Sequence, residues 1–159
     1  MTSVLFICTG NVFRSLTAEY SLRAQLGSNT GVVVSSAGTR DDPNLAVRKD
    51  VSDYLLSKGL DVSSHVRTLV SSDLLQKFDH IIAMHTDHQQ RLSERFSIEV
   101  PHFMEACGMK SEALPDVDDL FAPDDWHSSD AFDHIKRTID RIVEVAPHFV
   151  QRTLGQGLT

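Results

Sequence analysis

The sequence predicts a single α/β domain, residues 1–159, in which helices flank both faces of a central four-stranded parallel sheet. Segments typical of strands alternate with segments typical of helices, and the connections between them are short. The strand segments are almost continuously apolar, as expected for parallel strands that are buried on both faces. A chain of 159 residues is also long enough to bury a core of its own.

The first half of the chain supplies two strand and helix pairs. The apolar run 4–7 predicts the first strand, and apolar residues near helical spacing predict a helix over 16–26. The β-branched run 32–34 predicts the second strand. A second apolar stripe predicts a helix over 45–60 that stops at Gly59.

The second half continues the alternation. A short helix is predicted with Ser71 or Ser72 as its cap, followed by a buried strand over 78–84. The last helix is predicted to begin at Ser128 or Ser129 and to end before Pro147. Its inward-facing side chains are predicted to be Phe132, Ile135, Ile139, Ile142 and Val143.

Composition narrows the functional classes. The formal charge of −7 argues against binding to nucleic acid or to an anionic membrane, because both need basic surface. No leader segment or membrane-length apolar run is found, and Cys8 and Cys107 fit no disulfide framework, so a cytoplasmic location is expected. A monomer is expected, and weak self-association is compatible with the sequence.

The most informative segment runs from Cys8 to Ser15, directly after the first strand. Ligands of parallel α/β folds gather at the carboxyl ends of the strands, and backbone N–H groups at a helix start attract anions. We therefore predict a phosphate-binding loop that contains a thiol. Its phosphate-binding residues are predicted to be Thr9, Gly10, Asn11, Val12, Phe13, Arg14 and Ser15.

Each residue type in the loop suits phosphate chemistry. Cys8 is the candidate nucleophile, since N–H groups, a helix start and a nearby guanidinium all favour a thiolate. Arg14 can hold two phosphate oxygens in a planar fork, which lysine cannot do. Ser15 could donate a hydrogen bond to the sulfur. The alternative is that Cys8 is a small buried hydrophobic residue at the end of a strand.

The run Cys8–Ser15 resembles the phosphate-binding loop of the low-molecular-weight protein tyrosine phosphatases, whose usual form is Cys-x-Gly-Asn-x-Cys-Arg-Ser. Further segments match the family in order and approximate spacing. They are 18–19, 36–39, 59–65, 78–84 and 122–126, which together span most of the chain.

The resemblance implies hydrolysis of phosphotyrosine in proteins through a phosphocysteine, without a metal or cofactor. Cys8 and Arg14 would be joined by an aspartate that acts as general acid and base. The candidates share one polar stretch: Asp116, Asp118, Asp119, Asp124 and Asp125. The family places its acid after a proline and before aromatic residues, which favours Asp124, with Asp125 second.

The resemblance also implies supporting residues. A hydrogen-bond network of Asn11, Ser15, Ser36 and His65 would brace the loop, and Trp126 would form a wall against the substrate ring. Trp126 could instead fill a hydrophobic gap under the last helix. A metal site at His85 and His88 is disfavoured, because no clear third and fourth ligands are present.

Phe13 stands where many family members carry a second cysteine, so the usual protective disulfide cannot form. Oxidised Cys8 would then need an outside thiol, or Cys107 if it lay nearby.

Three alternative functions stay open. They are a phosphoarginine phosphatase, which commonly carries threonine at the position of Val12, a thiol-linked arsenate reductase, and a non-catalytic binder of a phosphorylated ligand.

Overall fold

The computed structural model describes residues 1–27, 31–109 and 114–155. Three parallel strands form its sheet in the order β2-β1-β3: β1 (Thr2–Cys8), β2 (Val32–Gly38) and β3 (His80–Ala83). The most apolar strand is central, with its residues 4–7 fully buried. In the described part of the chain, the predicted fourth strand corresponds to a single parallel bridge between Ala83 and His102 at the β3 edge.

Helices cover both faces of the sheet, which confirms the predicted α/β class. They are α1 (Arg14–Leu26), α2 (Lys49–Ser57), α3 (Ser72–Leu75), α4 (Thr86–Phe96), α5 (Phe103–Ala106), α6 (Val117–Leu120) and α7 (Ser129–Phe149), with a 3₁₀ turn (Pro123–Asp125) before α7. Alternate β1 residues such as Phe6 pack with α1 and α7, while Leu5 and Ile7 pack on the opposite side with α3 and α4.

The predicted caps are confirmed, but one predicted helix end is wrong. Ser71 and Ser128 each accept a backbone N–H from the first turn of their helix, as Ser does at such positions. The last helix, however, contains Pro147 and continues to Phe149. The Phe149 ring is fully buried 5.3 Å from that of Phe6, and this packing offsets the hydrogen bond that proline removes.

Two further differences come from the loops. Helix α2 begins at Lys49 rather than at residue 45, so the residues before it are free to line a pocket. Helix α4 was not predicted from the sequence. Its buried residues are only His88 and Leu92, so its sequence shows no apolar stripe. Within the described residues, no helix is both long and apolar enough to cross a membrane.

Candidate active site

The segment between β1 and α1 forms a tight loop at the carboxyl end of the central strand. Asn11 has a φ of 56°, a left-handed conformation that asparagine tolerates better than most residues. Gly38, at the end of β2, lies against this loop, since a Cβ there would stand 2.7 Å from the Thr9 carbonyl oxygen. The loop is thus shaped by close backbone contact with β2.

The sulfur of Cys8 faces hydrogen-bonding groups from the same loop. The side chain is 2% exposed, the Asn11 backbone N–H donates to Sγ at 3.2 Å, and Ser15 Oγ lies 3.0 Å from Sγ. The alternative that Cys8 is only an apolar core residue does not explain these polar contacts.

The four predicted bracing residues are all brought together around Asn11. Its side-chain amide donates to Ser15 Oγ at 2.9 Å and to Ser36 Oγ at 2.7 Å. His65 Nε2 lies 3.1 Å from the Asn11 carbonyl oxygen, in hydrogen-bond contact. Because Asn11 is fully buried, these partners satisfy polar atoms that would otherwise be costly to bury.

The brace extends to a residue for which the sequence predicted no role. Ser36 Oγ donates to Glu19 Oε1 at 2.6 Å, and Arg23 contacts the other carboxylate oxygen at 2.8 Å. Two sequence signals fall on it, the family match at residues 18–19 and the spacing of Glu19 and Arg23, four residues apart on one helix. A hydrogen-bonded path therefore leads from a buried carboxylate, through Ser36 and Asn11, to the loop.

Arg67 also holds the loop, a role that the sequence does not predict. Its Nε donates to the Gly10 carbonyl oxygen at 2.8 Å, and its Nη1 donates to the Asp42 carbonyl oxygen at 2.9 Å. A single arginine within an irregular segment has no periodicity that would mark such a role.

Arg14 begins α1 with its guanidinium buried, at 2% exposure. Nη1 donates to the Leu114 carbonyl oxygen and Nη2 to Asp116 Oδ2, both at 2.8 Å. Its Nε is buried and has no hydrogen-bond partner among the described residues. One N–H of this fixed guanidinium is therefore unpaired within the described part of the chain.

Asp116 is held in place by the start of α6. Its Oδ1 accepts the Val117 N–H at 2.8 Å, and its own N–H donates to Asp119 Oδ2 at 2.7 Å, which together make a capping box. The carboxylate therefore has a fixed orientation, with Oδ2 directed at Arg14.

One pocket joins these groups. The loop residues Thr9, Gly10, Val12 and Phe13 line it together with Trp126, and its walls are largely apolar. The lining is Cys8, Thr9, Gly10, Val12, Phe13, Arg14, Arg40, Leu45, Arg48, Val51, Asp116, Val117, Asp118, Trp126, His127 and Ile135.

Asp124 and Asp125 are not brought into this pocket. Both are exposed in the 3₁₀ turn before α7 and are absent from the pocket lining. The same turn positions Trp126, whose Nε1 donates to the Phe121 carbonyl oxygen at 3.0 Å, while Arg48 donates to the Trp126 carbonyl oxygen at 2.9 Å. The side chain and the backbone of Trp126 are thereby each held by one hydrogen bond.

The remaining candidates have contacts of their own. His85 and His88 have ring centroids 6.5 Å apart, but His88 Nε2 is engaged by Thr9 at 3.0 Å. No group of three or more potential metal ligands occurs in the described ranges.

Cys107 is a buried free thiol, and burial raises its pKa to about 12. A thiol that stays protonated is poorly suited to rescue oxidised Cys8.

Comparison with known proteins shows which family the chain resembles. Residues 3–154 match the family model of the low molecular weight phosphotyrosine protein phosphatases. A curated relative, the low molecular weight protein-tyrosine-phosphatase Etp of Escherichia coli K12, is 30% identical over 86 residues, which cover 54% of this chain and 56% of the relative. The match thus spans about half the length of that relative.

Two solved structures share the fold over nearly their full length. The low molecular weight protein tyrosine phosphatase from T. tengcongensis has a TM-score of 0.78 at 20% identity, covering 95% of this chain and 99% of that one. The YwlE arginine phosphatase from Geobacillus stearothermophilus has a TM-score of 0.77 at 19% identity, covering 97% and 94%.

Proposed function

The chain belongs to the low molecular weight phosphotyrosine protein phosphatase family, and we propose that it hydrolyses phosphotyrosine in proteins through a phosphocysteine on Cys8. One observation carries the proposal. A hydrogen-bonded sulfur, a buried arginine and a fixed carboxylate line the same pocket, and they are the three groups that this hydrolysis needs.

In the first step, the Cys8 thiolate attacks phosphorus, and the ester P–O bond breaks as the S–P bond forms. Arg14 stabilises the transferring phosphoryl group, with its Nε and Nη2 available for two oxygens once the phosphate displaces the Asp116 carboxylate. A protonated Asp116 donates its proton to the leaving tyrosyl oxygen.

In the second step, water attacks the phosphocysteine. Asp116, now a carboxylate, takes the proton from the water as the O–P bond forms, and the S–P bond breaks to return the Cys8 thiolate. Ser15 Oγ, 3.0 Å from Sγ, can donate a hydrogen bond to the departing sulfur. Inorganic phosphate is released, and Asp116 is protonated again for the next turnover.

We propose Asp116 rather than Asp124 as the acid. Asp116 lines the pocket and contacts Arg14, whereas Asp124 is exposed on a turn outside the lining. Asp116 also follows a proline, Pro115, as the acid of the family does. No aromatic residue stands directly after it, but Trp126, ten residues further along the chain, lines the same pocket.

The walls of the pocket support an aromatic substrate. Val12, Phe13, Leu45 and Trp126 give the phosphate loop an apolar approach that a tyrosyl ring can fill. A phosphoserine side chain is shorter and makes no comparable contact. Phosphoarginine is a second candidate because the fold is shared with an arginine phosphatase, but apolar Val12 offers no hydrogen bond to its guanidino group.

A competition experiment tests the function. One peptide sequence carrying phosphotyrosine, phosphoserine or phosphoarginine is given to the purified protein in the presence of a chelator, with Cys8→Ser as the control. We expect phosphotyrosine to be hydrolysed fastest and Cys8→Ser to be inactive. Faster hydrolysis of phosphoarginine would replace the proposed substrate, and full activity of Cys8→Ser would exclude the mechanism.

A further inference from the structure

A buried histidine outside the predicted network contacts the phosphate loop. His88 lies in the first turn of α4 and is 1% exposed. Its Nε2 is 3.0 Å from Oγ1 of Thr9, the residue that follows the nucleophile candidate Cys8. The contact joins residues 79 positions apart, so it ties α4 directly to the loop.

The ring is neutral in the folded protein. Burial lowers the pKa of His88 to about 2, and the electrostatic interactions with Arg14, His85 and Arg91 lower it further. A neutral imidazole carries one N–H and one bare nitrogen, so the protein must select which nitrogen holds the proton.

The surroundings of the second ring nitrogen select the tautomer. Nδ1 is buried and has no hydrogen-bond partner among the described residues. A proton on Nδ1 would leave a buried donor unpaired, which is rarer in proteins than an unpaired acceptor. The proton therefore belongs on Nε2, where it is donated to the Thr9 hydroxyl oxygen.

Thr9 is then held from two directions. Its carbonyl oxygen accepts the Arg40 N–H at 3.0 Å, which fixes the main chain against the segment after β2. With the proton on Nε2, its hydroxyl oxygen, 3.0 Å away, accepts from His88 on α4. The side chain and the backbone of this loop residue are both fixed before any phosphate enters, and such preorganisation is what makes anion sites effective.

We propose that His88 is a positioning residue of the active site, a neutral Nε2–H donor that holds Thr9 in the phosphate-binding conformation of the loop. The role rests on the proposed function of that loop, because it matters only if Thr9 borders bound phosphate. His88 touches neither the sulfur nor the substrate in this role.

A set of substitutions tests the contact. His88→Leu removes the donor, His88→Gln keeps an N–H near the position of Nε2, and Thr9→Val removes the acceptor. We expect His88→Leu to lower two quantities about tenfold, kcat/KM for the phosphotyrosine peptide and the affinity for inorganic phosphate. In His88→Gln, both should stay within about threefold of the wild type. The double variant His88→Leu with Thr9→Val should be no worse than Thr9→Val alone.

His102→Leu is the matched control. This histidine is also buried, and its Nδ1 accepts the Glu105 N–H at the start of α5. Its loss should lower Tm while leaving kcat/KM and phosphate affinity unchanged. Equal phosphate affinity in His88→Leu and the wild type, or additive losses in the double variant, would overturn the positioning role.

NMR of the His88 ring gives a readout that does not depend on turnover. We expect one Nε2–H resonance, no titration of the ring between about pH 5 and about pH 8, and loss of the hydrogen-bonded signal in Thr9→Val. An Nδ1–H tautomer or a titrating ring would contradict the inference. If the wild type showed the expected ring and bound phosphate but hydrolysed none of the peptides, only the proposed function would fail.

Discussion

Replacing Asp116 by asparagine tests whether the acid is Asp116 or Asp124, which the family pattern favours. The substitution keeps an oxygen that can accept the Val117 N–H, so the start of α6 should survive. It removes the carboxyl group that, when protonated, donates the proton and that, when ionised, contacts Arg14 at 2.8 Å. Asp124→Asn is the matched control, since it makes the same chemical change on an exposed turn outside the pocket lining.

The two lost roles should move kcat and KM in the same direction. General acid catalysis contributes about 10²–10⁴ to the rate, so kcat for a phosphotyrosine peptide should fall by about that factor. A weaker contact between Arg14 and residue 116 lets phosphate displace residue 116 from the guanidinium more easily. If a charge-assisted hydrogen bond is worth about 1 kcal/mol more than a neutral one, KM should fall about fivefold.

Steady-state kinetics with a series of aryl phosphates measures both effects. Phenols that leave easily need little help from an acid, so Asp116→Asn should lose least activity on the most activated ester and most on phosphotyrosine. Asp124→Asn should behave like the wild type throughout. Loss of activity in Asp124→Asn with normal kcat in Asp116→Asn would refute our assignment, and normal kcat in both would move the acid to a neighbour such as Asp118.

Three further outcomes are expected. Gly38→Ala should reduce kcat/KM by at least tenfold, because the added Cβ would lie 2.7 Å from the Thr9 carbonyl oxygen and must displace the loop. Circular dichroism should show that the variant is folded. Unchanged kinetics would mean that the loop tolerates the shift. Cys107→Ala should leave peroxide inactivation of Cys8 and its recovery by added thiol unchanged, since the pKa of Cys107 is raised to about 12; slower recovery would reveal a resolving role. His88 is neutral in the folded protein but binds a proton below about pH 6.5 in the unfolded chain. The free energy of unfolding should therefore fall by up to about 1.4 kcal/mol for each pH unit below that point. Urea titrations at several pH values should find a smaller slope in His88→Gln.

The core elements were predictable because they leave local signals. The strand before Cys8 is a continuous apolar run, and Ser71 and Ser128 are typical helix caps, so both features could be located from neighbouring residues alone. Helix α4 left a weak signal, because His88 and Leu92 are its only buried residues and a histidine does not count toward an apolar stripe. The extension of α7 past Pro147 was missed because it depends on Phe149 packing against a strand far away in the chain.

The sequence by itself determined the phosphate loop and its thiol, since Cys8–Ser15 is contiguous and lies between a strand and a helix. It also supplied the bracing residues through the family's pattern. Only the tertiary structure decided which aspartate faces Arg14, because five aspartates within ten residues have the same local character and differ only in where the chain folds them. His88 and Arg67 likewise gain their roles through contacts with residues more than fifty positions away, which no local pattern encodes.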